Sequence, residues 1–189
     1  MAAEILGEAK KVGAKLESIR LIDTGGAARP ADQAREMAES IPNVLTGTSY
    51  GMTETNALGI AIRGKEYLEN PEVTGRLIAP LAEMRIVDEF DNDVEIGNVG
   101  ELVLKSAANM RCYLNKDAET SEVLKDGWLY TGDLAKIDKN ELITLVDRKK
   151  NIIIRGGENI SAQEVQTVIL EHPDVIAVSY THLTLPTKD

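Results

Sequence analysis

The chain has 189 residues, enough for one or two domains, and its 43% hydrophobic and 28% charged content is that of a globular protein rather than a disordered one. Thirty-one acidic residues against 21 basic ones give a net charge of −10, and no run of basic residues marks a nucleic-acid-binding face. No apolar run approaches the roughly 18 residues of a membrane span, and the N-terminus lacks the apolar core of a signal peptide.

The opening stretch, MAAEILGEAKKVGAKLESIR, sets Ile5, Leu6, Val12, Leu16 and Ile19 near helical spacing and predicts an amphipathic helix. Its abrupt start reads as though something preceded it. IRLIDTGGAARP then reads as a short buried strand over Ile19–Ile22 running into a Gly-Gly turn. Pro30 suits the first turn of a helix reaching about Ser40. PNVLTGTSYG is a second short strand that leaves through glycine and small polar residues. Strand, turn, helix, strand is an α/β rhythm. Doubly wound sheets place ligands at the carboxyl ends of their strands, where both polar turns would sit.

After about Gly75 the character changes. AEMRIVD, VGELVLKS, GWLYTGDLAKID and ELITLVDR are short β-like runs between Gly, Asn and Asp turns, the pattern of a small antiparallel sheet or distorted barrel. DEFDNDVE (88–95) reads as a solvated acidic loop, and DKNE (138–141) as a hairpin turn joining Ala135–Ile137 to Leu142–Val146. Cys112 is the single cysteine, which rules out an intrachain disulfide and fits a reducing compartment, so a cytoplasmic location is expected.

A charged link, DRKK (147–150), leads to NIIIRGGENISAQEVQTVILEHPD, read as a strand, a Gly-Gly turn and a helix. Ser161 and Glu164 have the spacing of a capping box there, and Val165, Val168 and Ile169 supply the apolar face. Residues 151–177 are too few for an independent core. The final VSYTHLTLPTKD continues none of these patterns and resembles translated sequencing-adaptor DNA from about Val178 to Thr187; a native strand is the alternative reading. The expected organisation is an α/β fragment (1–75), a β-rich subdomain (76–146), a hinge (147–150) and the truncated start of a small α+β C-terminal domain (151–177), with a non-native tail (178–189).

Several polar segments are able to carry chemistry. TSYGMTET (48–55) places Tyr50, Gly51, Thr53 and Glu54 together after a strand. Amides of a glycine-containing turn cradle anions, a carboxylate suits Mg²⁺, which uses one or two carboxylates plus phosphate oxygens, and an aromatic ring stacks on a base. Taken alone, the segment is also what a polar turn with Glu54 facing solvent looks like. TGGAA (24–28) permits close backbone approach or is a plain strand-to-helix turn. Asp133, in YTGDL (130–134), stands where carboxylates take ribose hydroxyls, yet Asp is also a common turn residue. Arg148 reaches a sugar or a phosphate, or is a surface charge; RGGEN (155–159) is a supple loop or a simple turn.

The order and spacing of these segments decide more than any one of them. GGA (25–27), YGMTET (50–55), GWLYTGDL (127–134) and DRKKNIIIRGGENISAQEV (147–165) together resemble the adenylate-forming superfamily of acyl-CoA synthetases, luciferases and peptide-synthetase adenylation domains. YGMTET and RGGENISAQEV are most similar to carboxylate–CoA ligases acting on fatty or related acids. The resemblance implies that ATP and a carboxylic acid give an acyl-AMP and pyrophosphate, and that the acyl group then passes to the thiol of CoA.

It further implies that Gly25, Gly26 and Ala27 line the adenine and acyl side of a pocket, that Tyr50 packs on adenine beside Gly51, that Thr53 binds phosphate and that Glu54 holds Mg²⁺. Asp133 would take the ribose hydroxyls of ATP or AMP with Arg148 assisting, Lys150 would be the hinge, and Gly156 and Gly157 would help form the CoA channel. The family's phosphate loop and C-terminal catalytic lysine have no counterpart here, so the chain alone is expected to be inactive. An amino-acid or aryl-acid adenylating domain, or a nucleotide-binding module without chemistry, are the alternatives.

Overall fold

The computed structural model describes residues 2–25, 31–41, 43–57, 59–151, 153–155 and 158–161, with Val165, Val168, Ile169, His172, Val175 and Val178. Gly26, Ala27, Gly156, Gly157, Glu164 and the tail from 179 onward, all named above, lie outside the described residues.

Helix α1 (Ala2–Val12) buries Leu6 and Ala9. It is shorter than the spacing of its apolar residues suggests, because Gly13 turns left-handed (φ 67°) and Ala14 N closes the end on Ala9 O at 2.9 Å. Leu16 and Ile19 therefore reach the core from a loop, packing with Leu6, Met37 and Ile41, whereas Ile5 and Val12 are exposed and are not core residues. The first strand, β1, is Leu21–Gly25 rather than Ile19–Ile22, since the Ile19 amide is taken by a turn to Leu16 O. It is also only partly covered, with Leu21 exposed.

Helix α2 (Ala31–Ser40) links β1 to β2 (Leu45–Tyr50), and the two strands pair in parallel from Leu21 opposite Leu45 to Gly25 opposite Ser49. Both carboxyl ends, Gly25 and Tyr50, thus emerge at one edge, as the α/β rhythm requires. β3 (Ile60–Arg63) returns antiparallel to β2, and after α3 (Gly64–Glu69) the short β4 (Arg76–Leu77) completes a sheet of order β1-β2-β3-β4.

The second sheet is antiparallel and forms from the short β-like runs after Gly75. It contains β5 (Ala82–Val87), β6 (Gly100–Ser106), β7 (Leu124–Lys125), β8 (Trp128–Ile137) and β9 (Ile143–Arg148), with α4 (Asp117–Val123) before β7. The order is β5-β6-β8, with β7 on the first half of β8 and β9 on the second. The expected 138–141 hairpin is present: Asp138 Oδ1 accepts the amides of Asn140 and Leu142, both at 2.8 Å. The amides, Leu142's first, hold the Asp138 carboxyl below its usual range. The 88–95 loop is exposed apart from half-buried Val94 and is wound around Asp88, while the side chain of Arg85, on β5, reaches out to pair with Asp91 and Asp93.

One hydrophobic cluster joins the two sheets. Ile60 of β3 packs with Ile86, Leu102, Leu104, Ala135 and Ile143 of the second sheet, and Tyr50 and Leu77 flank it. Beyond β9, β10 (Ile153–Arg155) pairs antiparallel with β11 (Glu158–Ile160), a second short strand between the expected Gly-Gly turn and the expected helix. The capping box expected of Ser161 involves Glu164, which lies outside the described residues. The Ser161 hydroxyl donates to the buried Asp147 Oδ2 at 2.7 Å, with Val146 O at 3.3 Å, tying the chain after β11 to the end of β9. Val165, Val168 and Ile169 are exposed.

Candidate functional site

Tyr50, Asp133 and Arg148, scattered over the sequence, meet at the junction of the two sheets. Tyr50 Oη donates to Asp133 Oδ2 at 2.7 Å, and Arg148 forms an ion pair with the same carboxylate, Nε 3.1 Å from Asp133 Oδ1. The Asp133 side chain is 8% exposed and that of Arg148 54%, so a buried carboxylate is reached from solvent past a guanidinium. Arg148 is the last residue of β9 and stands in register with Asp133 on β8, so it belongs to the sheet rather than to a loose charged link.

A bulge sets the position of Asp133. Between the pairs Glu101–Leu134 and Val103–Tyr130 the chain advances two residues on β6 and four on β8, with Gly132 at φ 72°. Side chains satisfy the amides freed there: Thr131 Oγ1 donates to Leu102 O at 2.7 Å and accepts the Asp133 amide at 3.1 Å, and Glu101 Oε1 accepts the Gly132 amide at 3.1 Å. Glu101 Oε2 in turn accepts Lys149 Nζ at 2.9 Å.

Electrostatics tighten the group. Burial first, and then the hydrogen bond and charge of Asp133, push the Tyr50 hydroxyl well above its ordinary value; Thr131 and Arg148 act weakly the other way. Tyr50 is therefore a fixed neutral donor at any physiological pH. A buried carboxylate flanked by a phenol and a guanidinium accepts hydrogen bonds from a neutral diol if the two side-chain donors yield their places.

The segment after Tyr50 is wound tightly. A Cβ on Gly51 would lie 2.4 Å from the carbonyl carbon of Ala57 and 2.5 Å from its oxygen, so only glycine fits where the chain doubles back. Thr53–Thr55 form one 3₁₀ turn; buried Thr55 exchanges hydrogen bonds with Met52, and Ala57 N returns to Met52 O at 3.0 Å. Thr53 is exposed at the rim of this turn and Glu54 is half-buried. Tyr113 Oη donates to Glu54 Oε1 at 2.7 Å, a bond that pushes the phenol up to about 12, with burial adding to it.

Gly25 ends β1 opposite Ser49, and exposed Lys150 lies in a 3₁₀ turn, Lys149–Asn151, directly after β9. Tyr113, Thr131, Glu101 and Lys149 were not picked out from the sequence. Lys149 adjoins Arg148 in DRKK and Glu101 lies in a recognisable strand, but nothing in NMRCYLNKDAET marks Tyr113. No group of three or more His, Cys, Asp or Glu suited to a metal exists among the described residues. Glu54 offers a single carboxylate beside the exposed Thr53, a donor set that fits a hard cation taking its remaining ligands from water and a phosphorylated partner. No helix among the described residues is long and apolar enough to cross a membrane.

Comparison with known proteins gives a consistent result. The family model described as AMP-binding enzyme matches residues 1–114. The indoleacetate–CoA ligase of Aromatoleum aromaticum is 34% identical over 167 residues, 88% of this chain and 32% of the relative. A long-chain-fatty-acid–CoA ligase of Escherichia coli O6:H1 is 39% identical over 130 residues, 69% of this chain and 23% of the relative. Among solved structures, unliganded O-succinylbenzoate coenzyme A synthetase of Bacillus subtilis superposes with a TM-score of 0.82 at 30% identity, covering 94% of this chain and 37% of that one. The same enzyme in complex with ATP and magnesium ion superposes with a TM-score of 0.79 at 27% identity, over 94% of this chain and 40% of that one. The chain spans about a quarter to a third of the length of the curated relatives it matches.

Proposed function

The chain belongs to the AMP-binding enzyme family, and from that premise we propose that it forms the nucleotide-holding part of an ATP-dependent carboxylic acid–CoA ligase. The observation that carries the reading is the meeting of Tyr50, Asp133 and Arg148 across two sheets. Asp133 receives the two ribose hydroxyls, which replace the Tyr50 and Arg148 donors on its oxygens. Tyr50, freed from that bond, keeps its ring for adenine, and Arg148 shifts toward the sugar and phosphate.

Thr53 and the amides around Gly51 face the phosphates, and Glu54 holds Mg²⁺. When bound, that ion neutralises charge building on the phosphates as pyrophosphate leaves. In the reaction a carboxylate oxygen attacks the α-phosphorus and the bond to pyrophosphate breaks. A thiolate of CoA then attacks the acyl carbon, and AMP departs with the bonding electrons of the acyl–oxygen bond. The contribution of these residues is positioning of the nucleotide and exclusion of water from its ribose. Lys150 marks the hinge, and Gly156 and Gly157 belong to the CoA channel. Relatives named for indoleacetate and for long-chain fatty acids support an aryl or fatty acid as substrate. The single, exposed, unpaired Cys112 supports a cytoplasmic location.

Calorimetric titration with AMP tests the reading. The chain is expected to bind AMP, and Asp133→Asn to weaken binding by about tenfold or more, since a bond to a charged acceptor is worth about 1.5–3 kcal/mol. An Asp133→Asn variant that binds AMP as well as the parent would overturn it.

A further inference from the structure

We propose that Tyr113 is a positioning residue for Glu54, setting the orientation in which its carboxylate meets a phosphate-bound Mg²⁺; this rests on the reading of Glu54 as the Mg²⁺ ligand. A glutamate has three side-chain torsions, and one on an exposed turn samples them freely. Glu54 does not have that freedom. Its backbone is set by the 3₁₀ turn, its carbonyl accepts Met110 N at 2.6 Å, and its Oε1 accepts Tyr113 Oη at 2.7 Å. Asn56 Nδ2 adds a third clasp on Ala108 O at 2.9 Å. The loop between β6 and α4 thus grips residues 54–56 at three points, and only the Tyr113 bond acts on the carboxylate itself.

The gripping loop is itself anchored. Asn109 Nδ2 donates to Leu104 O at 2.9 Å, tying the loop to β6, and Tyr113 N donates to Thr120 Oγ1 at 2.9 Å, tying it to α4. Tyr113 therefore approaches Glu54 from a fixed base. A phenol on Oε1 leaves Oε2 for the cation, which favours a one-oxygen contact of the kind Mg²⁺ accepts while it keeps water and phosphate oxygens. Hydrogen-bond partners behind a metal ligand hold its orientation, and their loss typically costs about 10–100-fold in metal affinity.

The test compares ATP affinity of the chain by calorimetry with Mg²⁺ and with a chelator in its place, for the parent, Tyr113→Phe, Glu54→Gln and the double variant. Phenylalanine keeps the ring, and thermal melting checks that each variant is folded. The expected result is that Tyr113→Phe cuts the Mg²⁺-dependent gain in ATP affinity about tenfold, that Glu54→Gln removes the gain, and that the double variant matches Glu54→Gln alone. If Glu54→Gln removes the gain and Tyr113→Phe does not, the reading of Glu54 stands and the role of Tyr113 falls. If Tyr113→Phe weakens ATP equally with and without Mg²⁺, the residue is merely structural and the proposal falls. A parent with no gain, or a Glu54→Gln variant that keeps it, overturns the reading of Glu54 and the proposal with it.

Discussion

Tyr50 spends its hydroxyl on a carboxylate that solvent scarcely touches, and this has a consequence for stability as well as for binding. The groups facing that hydroxyl are Asp133, Thr131 and Arg148, and the balance of burial and Asp133 raises its ionisation above the ordinary value near 10. A group that binds its proton more tightly when folded lends full stability below its unfolded value. That stability fades as pH rises from the unfolded value toward the folded one. The chain should therefore lose stability above about pH 10, and Tyr50→Phe should lose less over the same interval because it has no proton to release. At neutral pH the same variant should be less stable by about 1–3 kcal/mol, the cost of leaving a buried acceptor without its donor. Urea unfolding of both proteins at several values between about pH 8 and 11 reads both effects. Parallel slopes above pH 10 would show that the Tyr50 proton is not held as described.

At the scale of the element, the turn after β2 depends on backbone contact more than on side-chain chemistry. Gly51 lies against the main chain of Ala57, which has no flexible end to give way, so Gly51→Ala should cost roughly 1–3 kcal/mol by overpacking. The variant should also lose AMP binding beyond what its stability explains, because the displaced turn carries Thr53 and Glu54. A melting temperature within error of the parent would contradict the close approach. This turn also marks how far the sequence could be read. The strands of the second sheet were legible because short runs rich in Val, Ile and Leu stand between Gly, Asn and Asp turns, and the turn at Asp138 carries its own capping side chain. Helix α1 was read too long because Leu16 and Ile19 keep helical spacing after Gly13 has already ended the helix. Arg148 looked like part of a charged link because its partner is fixed by strand register, which DRKK alone does not reveal. Tyr113 escaped for a related reason: its partner Glu54 lies 59 residues away, and no local pattern encodes a contact made by tertiary packing.

For the whole molecule, the site is only as well defined as the junction between the two sheets. Tyr50 comes from the first sheet, Asp133 and Arg148 from the second, and a shift of one against the other separates the three. Ile60 is the fully buried first-sheet member of the cluster that closes this junction. Backbone bonds beside it tie residues 74–75 to β9: Thr74 N to Ile143 O at 2.8 Å and Ile143 N to Gly75 O at 2.7 Å. Two sheets sharing one core and a hydrogen-bonded seam should unfold as one unit. Ile60→Ala should accordingly cost about 2–5 kcal/mol, the range for a large aliphatic side chain removed from a packed core. The loss should register in both sheets at once. Trp128, the single tryptophan, lies on β8 between the charges of Arg85 and Lys105, so its fluorescence reports the second sheet alone. In urea, the Trp128 midpoint and the circular-dichroism midpoint should fall together in Ile60→Ala, and AMP binding should weaken while the protein is still folded. A Trp128 transition that keeps the parent's midpoint would show that the second sheet stands alone, and that the meeting of Tyr50 with Asp133 is not enforced by the shared core.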